Sequence, residues 1–167
     1  MQKITSKNTS VNKLAGFYKK AVKAGIIGNG EVVLDYGCGK NIESLSEFAD
    51  KNNFAVMGYD PYHMTQEQNE NALHHAHMKH VDLITCNNVL NVLENGALNL
   101  IVHRLRVLNI KYKIHVYITV YEGDKKGFGR VTKNDCYQRN NKAQRYVEYL
   151  KDFFDKVTIK NGIIKAE

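Results

Sequence analysis

The sequence predicts an α/β fold: a mainly parallel sheet with helices on both faces and a C-terminal antiparallel hairpin. Short apolar strands alternate with helical patterns along the chain, which is typical of such sheets. In addition, Asn161-Gly162 separates two β-like runs, which is the strongest short-range hairpin signal. The chain has 167 residues, so we expect one domain over 1–167, with 1–28 as an N-terminal helical lead-in.

The first part of the chain predicts this lead-in helix and one strand–helix–strand unit. Ser10 can cap a helix that runs to about Ala24. An apolar run over 32–35 stops at a turn with two glycines, and a helical pattern follows over 42–49. A second strand over 54–59 ends at Asp60-Pro61, because proline cannot continue a central ladder.

The rest of the chain repeats this alternation of strands and helices, except that one connecting segment is short. Residues 62–80 are polar and have room for one short helix only, so we expect a sheet that is trimmed after the second strand. A third strand over 81–86 leads into helical stretches over 89–93 and 97–108. A period-two strand over 114–120, a Gly- and Lys-rich loop over 123–130 and a helix over 143–154 precede the hairpin.

Composition limits the classes of protein that fit. The formal charge of +7 and the pI of about 9.2 favour polyanionic partners. No apolar run reaches the length of about 18 residues that a membrane span needs, and the N-terminus lacks the apolar run of a signal peptide. Three cysteines without CxxC spacing give no support to a disulfide framework or a cysteine zinc site. We therefore expect a cytoplasmic protein that does not bind membranes.

Four histidines lie close together in the polar segment, at positions 74, 75, 77 and 80. On a helix, some of these pairs are close enough to chelate a metal. Carboxylate or cysteine support at zinc-like spacing is missing, however. We therefore expect no metal site and interpret the segment as a polar connector or a lid over a cofactor.

The segment with the clearest chemistry is Leu34-Asp35-Tyr36-Gly37-Cys38-Gly39-Lys40, at the carboxyl end of the first strand. Its two glycines allow a sharp turn and a close approach of the backbone to a ligand, and ligands of open α/β sheets bind at this edge. Asp60 follows the second strand, where a carboxylate can accept hydrogen bonds from two ribose hydroxyls. Together these features predict nucleoside binding.

This arrangement resembles the class I S-adenosylmethionine-dependent methyltransferases, whose first motif is an acidic residue followed by Gly-x-Gly-x-Gly. Asp35, Gly37 and Gly39 match the motif, and Asn41 replaces its third glycine. A dinucleotide dehydrogenase is disfavoured, because Ile42 stands where the Gly-x-Gly-x-x-Gly fingerprint needs glycine. A closer resemblance, to the methyltransferase family associated with DNA phosphorothioation, is carried by Asp-Tyr-Gly-Cys-Gly at 35–39, Gly-Tyr-Asp-Pro at 58–61 and Val-Leu-Asn-Val-Leu-Glu at 89–94.

The resemblance implies a Rossmann-like class I methyltransferase fold and S-adenosylmethionine as the cofactor, with S-adenosylhomocysteine as the product. The 37–39 backbone would approach the methionine part, Asp60 would hold the ribose and Asn87 would border the sulfonium. The expected cofactor-binding residues are Asp35, Gly37, Cys38, Gly39, Asp60, Pro61, Asn87 and Asn88. The thiol of Cys38 is interpreted as a small tolerated side chain rather than a nucleophile, because no activating base is identifiable.

No catalytic residue follows from the sequence. Residues 85–88, Thr-Cys-Asn-Asn, match neither the Asp/Asn-Pro-Pro-aromatic motif of amino-directed DNA methyltransferases nor the Pro-Cys of cytosine-C5 enzymes. A basic segment follows the last parallel strand and is either a solvated face or a groove for phosphates; it comprises Lys125, Lys126, Arg130, Lys133, Arg139, Lys142 and Arg145.

Three classes of function remain open at this point. The first is a methyltransferase that acts on a nucleic acid or another anionic acceptor. The second is another enzyme that uses S-adenosylmethionine, such as a lyase or a methyltransferase of small metabolites. The third is a non-catalytic module that binds nucleic acid or a partner and retains the fold. The acceptor, the oligomeric state and any partner for target recognition do not follow from the sequence.

Overall fold

A computed structural model describes residues 6–9, 13–132 and 135–167. The helices are α1 (Gly16–Lys23), α2 (Ile42–Lys51), α3 (Gln66–His77), α4 (Asn95–Tyr112) and α5 (Ala143–Leu150), with 3₁₀ turns at Lys7–Thr9 and Leu90–Val92. The strands are β1 (Val32–Tyr36), β2 (Ala55–Tyr59), β3 (Leu83–Asn87), β4 (His115–Thr119), β5 (Arg130–Val131), β6 (Tyr137–Gln138), β7 (Val157–Lys160) and β8 (Ile163–Ala166).

The main sheet has six strands in the order β2-β1-β3-β4-β8-β7. Strands β1 to β4 are parallel, and β8 joins the edge of β4 in antiparallel pairing. A single helix, α3, connects β2 to β3, so β2 lies at the edge of the sheet. The predicted α/β fold with a mainly parallel sheet that is trimmed after the second strand is therefore confirmed.

Helices cover both faces of this sheet. On one face α3, α4 and α5 pack against alternate strand residues such as Leu34, Ile84 and Val116. On the other face α1 and α2 pack against Val33 and Leu83. Because alternate side chains of a strand point to opposite faces, these two layers require consecutive apolar residues in β1 and β3, as at Val33-Leu34 and Leu83-Ile84.

The C-terminal hairpin is also confirmed. Strands β7 and β8 pair in antiparallel register, with Lys160 opposite Ile163. Asn161 and Gly162 have φ values of 53° and 76°, as the central residues of a type I′ turn require. In the described part of the chain, no helix has the length and apolar character needed to cross a membrane.

Three local predictions were wrong or incomplete. Helix α1 begins at Gly16, and described residues from Lys13 onward precede it without helical structure; Ser10, the predicted cap, lies outside the described residues. Helix α5 ends at Leu150, so Phe154, which was predicted to lie on this helix, packs on the core from the segment after a short turn. The loop after β4 contains a small antiparallel sheet of β5 and β6, whose two-residue strands are too short to show a period in the sequence.

Candidate functional site

A cavity of about 630 Å³ opens at the carboxyl ends of β1, β2 and β3, between the N-terminal segment and helix α4. Its size lies within the range of about 300–1,000 Å³ that is usual for small-ligand sites. All eight residues predicted to bind a cofactor line it: Asp35, Gly37, Cys38, Gly39, Asp60, Pro61, Asn87 and Asn88. The fold thus brings together residues from three separate turns.

The glycine turn after β1 is tied to the end of β2. The backbone N–H groups of Gly37 and Cys38 both donate to the carbonyl of Tyr59, over 2.7 and 3.2 Å. Gly37 has a φ of 87°, and a Cβ there would lie 2.3 Å from a methyl carbon of Val89. Glycine is therefore required at 37, both by the left-handed backbone and by the close approach of the turn after β3.

Cys38 is packed rather than poised for reaction. Its sulfur lies 2.7 Å from the position that a Cβ would occupy at Gly58, so the sulfur rests against bare β2 backbone. Burial raises the pKa of the half-buried thiol well above its ordinary value, and Asp35 and Asp60 raise it further. A thiol in this state is not a nucleophile. Gly58 belongs to the motif over 58–61, but nothing in the sequence indicated that it makes room for this packing.

Asp60 is held by backbone groups on two sides of the cavity. One carboxylate oxygen accepts from the N–H groups of Tyr62 and His63, over 2.8 and 3.0 Å, and the other accepts from Gly39 over 3.0 Å. The residue is only 7% exposed. The side chain is therefore held in place by these backbone groups and is almost closed to solvent. A carboxylate has about four acceptor positions, so about one remains for a ligand.

A buried network of hydrogen bonds lies beneath the cavity floor. The hydroxyl groups of Tyr18 and Thr85 are 2.7 Å apart, and Thr85 donates to the carboxylate of Asp35 over 2.9 Å. The carboxamide of Asn87 donates to Tyr18 and Asp35, and accepts from Thr119 over 2.8 Å. Asn87 is therefore oriented by the sheet, whereas Asn88 is exposed at the rim with a φ of 57°.

This network changes the acidity of Asp35. Burial raises the pKa of this carboxyl to about 6, although the hydrogen bonds from Thr85, Tyr18 and Asn87 oppose the shift. Burial and the neighbouring Asp35 also raise the pKa of Tyr18. A carboxyl with a raised pKa at the edge of a cavity is complemented by a cationic ligand group, which would restore its ionised form.

Several wall residues were not anticipated from the sequence. Tyr18 fits the apolar spacing of its helix, and nothing in the sequence pairs it with Thr85. The segment around Lys7 lies against the cavity, because its carbonyl is 3.0 Å from a ring nitrogen of His63. On the opposite wall, Arg104 of α4 interacts with Tyr36, whose ring stacks on that of Tyr59 at 4.5 Å.

The histidine-rich segment comprises the end of α3 and the turn that follows it, so His80 lies beyond the helix. The ring of His77 is hydrogen bonded to the hydroxyl of Tyr112 over 2.6 Å. Within residues 6–9, 13–132 and 135–167, no group of three or more histidine, cysteine, aspartate or glutamate residues is arranged to hold a metal ion.

Comparison with known protein families identifies the type of domain that this chain forms. Residues 11–152 match the family model described as a methyltransferase domain. The chain belongs to this family of methyltransferase domains.

Among solved structures, the chain is similar to PKMT2 from Rickettsia typhi in complex with AdoHcy, with 18% identity and a TM-score of 0.33. The match covers 58% of this chain and 23% of that chain, so it spans about a quarter of the length of that protein. No curated protein matches.

Proposed function

We propose that this chain is an S-adenosylmethionine-dependent methyltransferase, that it acts on a nucleic acid and that its cofactor lies in the cavity at the ends of β1 to β3. One observation carries the choice of acceptor. The segment over 121–142, here called the basic arm, begins at the carboxyl edge of the sheet and combines exposed aromatic side chains with lysines and arginines. Tyr121 is 63% exposed and Phe128 is 77% exposed.

The residues of the cavity fit the cofactor. Asp35 offers a buried carboxyl that suits a cationic group, and S-adenosylmethionine carries an ammonium and a sulfonium. Asp60 retains about one acceptor position, which suits a ribose hydroxyl. Gly37 and Gly39 leave the turn bare, and Asn88 borders the opening. These roles extend the predicted assignment, with the difference that the N–H groups of Gly37 and Cys38 bond to Tyr59, so the turn would meet the methionine part through other backbone atoms.

Bound S-adenosylmethionine supplies a methyl group that its sulfonium has already activated. The protein therefore has to align the acceptor for in-line attack and exclude water, and no general base is assigned. The apolar side chains of Leu93, Ala97 and Ile101 on the α4 side of the cavity can exclude water from the site.

The basic arm is attached directly to the wall of this cavity. Asn91, in the 3₁₀ turn after β3, accepts the N–H of Tyr121 through its side chain and the N–H of Arg139 through its carbonyl. Gln138 donates to the carbonyl of Tyr121 over 3.2 Å. Val92, the next residue of the same turn, lines the cavity. A ligand on the arm would therefore lie beside the reacting centre.

The composition of the arm suits single-stranded nucleic acid. Aromatic rings stack on bases of any sequence, while lysine and arginine neutralise phosphates. The described part of the arm contains five basic and three acidic residues. Two of the basic residues form ion pairs, Lys125 with Glu122 and Arg130 with Asp124. Lys133, also part of the predicted basic segment, lies outside the described residues.

The test is turnover of S-adenosylmethionine by the full chain with short single-stranded DNA or RNA, or with a pool of small metabolites. We expect S-adenosylhomocysteine together with methylated oligonucleotide. Methylated metabolites only, loss of cofactor without a methylated product, or binding without turnover would each contradict the proposal and indicate one of the other open classes.

Phe128→Ala provides the matched test of the arm. Loss of one stacked base costs about 1–3 kcal/mol, so the KM for an oligonucleotide should rise by about fivefold to more than a hundredfold. The Kd of the cofactor should not change, because Phe128 is not among the cavity residues. Ile159→Ala, which truncates an exposed side chain on β7, is the control and should change neither constant.

A further inference from the structure

A second pocket of about 460 Å³ lies between the first turns of α4, the basic arm and α5. It is distinct from the cofactor cavity, which lies along Ala97 and Ile101 on another side of α4. Its described lining contains two arginines and no carboxylate. The polar residues that matter here are Asn99, Arg139, Asn141, Arg145, Tyr146 and Tyr149.

Two buried polar atoms of this pocket have no partner in the described part of the chain. The hydroxyl of Tyr146 is one of them, although the residue is only 2% exposed. The carboxamide oxygen of Asn141 is the other. Burial of an unbonded polar group costs free energy, so such groups usually have a function or an external partner. The neighbouring hydroxyl of Tyr149, by contrast, is bonded to Asn99.

The arginines are positioned around these atoms. Arg139 donates to the carbonyl of Leu93 over 2.6 Å and to the side chain of Asn95 over 2.7 Å, which fixes the plane of its guanidinium. The positive charge of Arg139 is close enough to the Tyr146 hydroxyl to oppose the rise of its pKa to about 12 that burial causes. An anion near Arg139 would therefore also be near a hydroxyl donor.

Arg145 and Asn141 converge over Gly127 of the arm. A Cβ at Gly127 would lie 2.8 Å from a guanidinium nitrogen of Arg145 and 3.5 Å from the Asn141 oxygen. Gly127 also has a φ of 79°, which favours glycine. The absence of a side chain at 127 thus lets the Arg145 guanidinium lie over the arm backbone beside the pocket.

We propose that this pocket binds a phosphate group of the acceptor, with Arg139 and Arg145 neutralising the charge and the Tyr146 hydroxyl donating to a phosphate oxygen. Asn141 would accept a hydrogen bond from a hydroxyl or amino group of the same nucleotide. The inference rests on the proposed function. Since Arg139 is bonded to Leu93, which lines the cofactor cavity, a phosphate held here anchors the acceptor at a fixed distance from the reacting centre.

The experiment uses the full chain and a fluorescein-labelled single-stranded oligonucleotide, with binding followed by anisotropy over a range of salt concentrations. Arg145→Gln should weaken binding and reduce the slope of log K against log salt by about 0.7, the value for one phosphate contact on a single strand. Tyr146→Phe should weaken binding by about tenfold, as expected for one hydrogen bond to a charged group. Lys160→Gln, on exposed strand β7, should leave the affinity unchanged.

Thermal unfolding separates a binding role of Tyr146 from a structural one. Tyr146→Phe removes an unbonded buried hydroxyl and keeps the ring, so the melting temperature should stay the same or rise while binding weakens. A fall in the melting temperature together with unchanged binding would overturn the proposal. Unchanged binding in both Tyr146→Phe and Arg145→Gln would also overturn it.

Competition identifies the source of the phosphate. If inorganic phosphate or a mononucleotide displaces the probe at the same concentration as an unlabelled oligonucleotide, the result would support a phosphate site whose ligand is a small molecule. Stronger displacement by the oligonucleotide would support a nucleic-acid backbone. Calorimetry with S-adenosylmethionine and assays for methylated oligonucleotide test the proposed function separately. If phosphate binding depends on Arg145 but no oligonucleotide is methylated, the proposal of a phosphate site stands and the proposal of a nucleic-acid acceptor is refuted.

Discussion

Replacement of Asp60 tests how the cofactor cavity is held together. Its carboxylate accepts backbone hydrogen bonds from Gly39, Tyr62 and His63. Hydrogen bonds to charged groups contribute about 1.5–3 kcal/mol each, and donors that water can reach lose less. We assign about 2 kcal/mol to the buried bond from Gly39 and about 1 kcal/mol to each of the others. Asp60→Ala should therefore lower the free energy of unfolding by about 4 kcal/mol, a large part of the usual total of about 5–15 kcal/mol.

Urea unfolding monitored by circular dichroism measures this loss. Asp82→Ala is the matched control, because the Asp82 carboxylate accepts one backbone N–H, from Val32, at an exposed position; it should cost less than about 1 kcal/mol. Asp60→Asn keeps an oxygen for Tyr62 and His63 but loses the charge, and should weaken binding of S-adenosylmethionine by about tenfold in calorimetry. Equal losses of stability in Asp60→Ala and Asp82→Ala would refute the reasoning.

Three further outcomes are expected. Burial raises the pKa of Asp35 from 3.8 to about 6, so the folded protein binds more protons than the unfolded chain between these pH values. The free energy of unfolding should therefore fall by up to about 3 kcal/mol as the pH rises through that window. Asp35→Asn should abolish this pH dependence of the urea midpoint. Gly37→Ala should lower the melting temperature more than Gly162→Ala. Both positions have a positive φ, but the added Cβ at 37 would clash with Val89, whereas the space around 162 is open. When Val89→Ala is combined with each variant, it should recover part of the melting temperature lost in Gly37→Ala but none of that lost in Gly162→Ala. Equal recovery in the two combinations would contradict the steric explanation.

The parts of the fold that depend on local patterns were predictable. Strand β1 with its glycine turn, the single helix between β2 and β3, and the hairpin at Asn161-Gly162 each follow from a few adjacent residues. The start of α1 was not predictable from the sequence. The helical spacing of apolar residues continues on the N-terminal side of Gly16, although the helix begins at Gly16. Strands β5 and β6 were missed because pairing over two residues leaves no periodicity.

Positions in the candidate site were predictable, but the directions of the side chains were not. The strand ends place Asp35, Asp60 and Asn87 around one cavity, as expected for a parallel sheet. The bond between Asp60 and the backbone of Gly39, by contrast, joins parts of the chain that are 21 residues apart. Tyr18 and Thr85 are 67 residues apart, and only packing of α1 on the sheet brings their hydroxyls together.

The position of β2 at the edge of the sheet has a consequence for self-association. Within the described residues β2 pairs only with β1, so its outer backbone groups are open to a strand of another molecule. Two features restrict such pairing. Asn53, with a φ of 55°, precedes the strand and Pro61 follows it, so at most a few consecutive residues are extended. Replacement of Pro61 by a residue of high β-propensity would lengthen this edge and should promote aggregation on concentration.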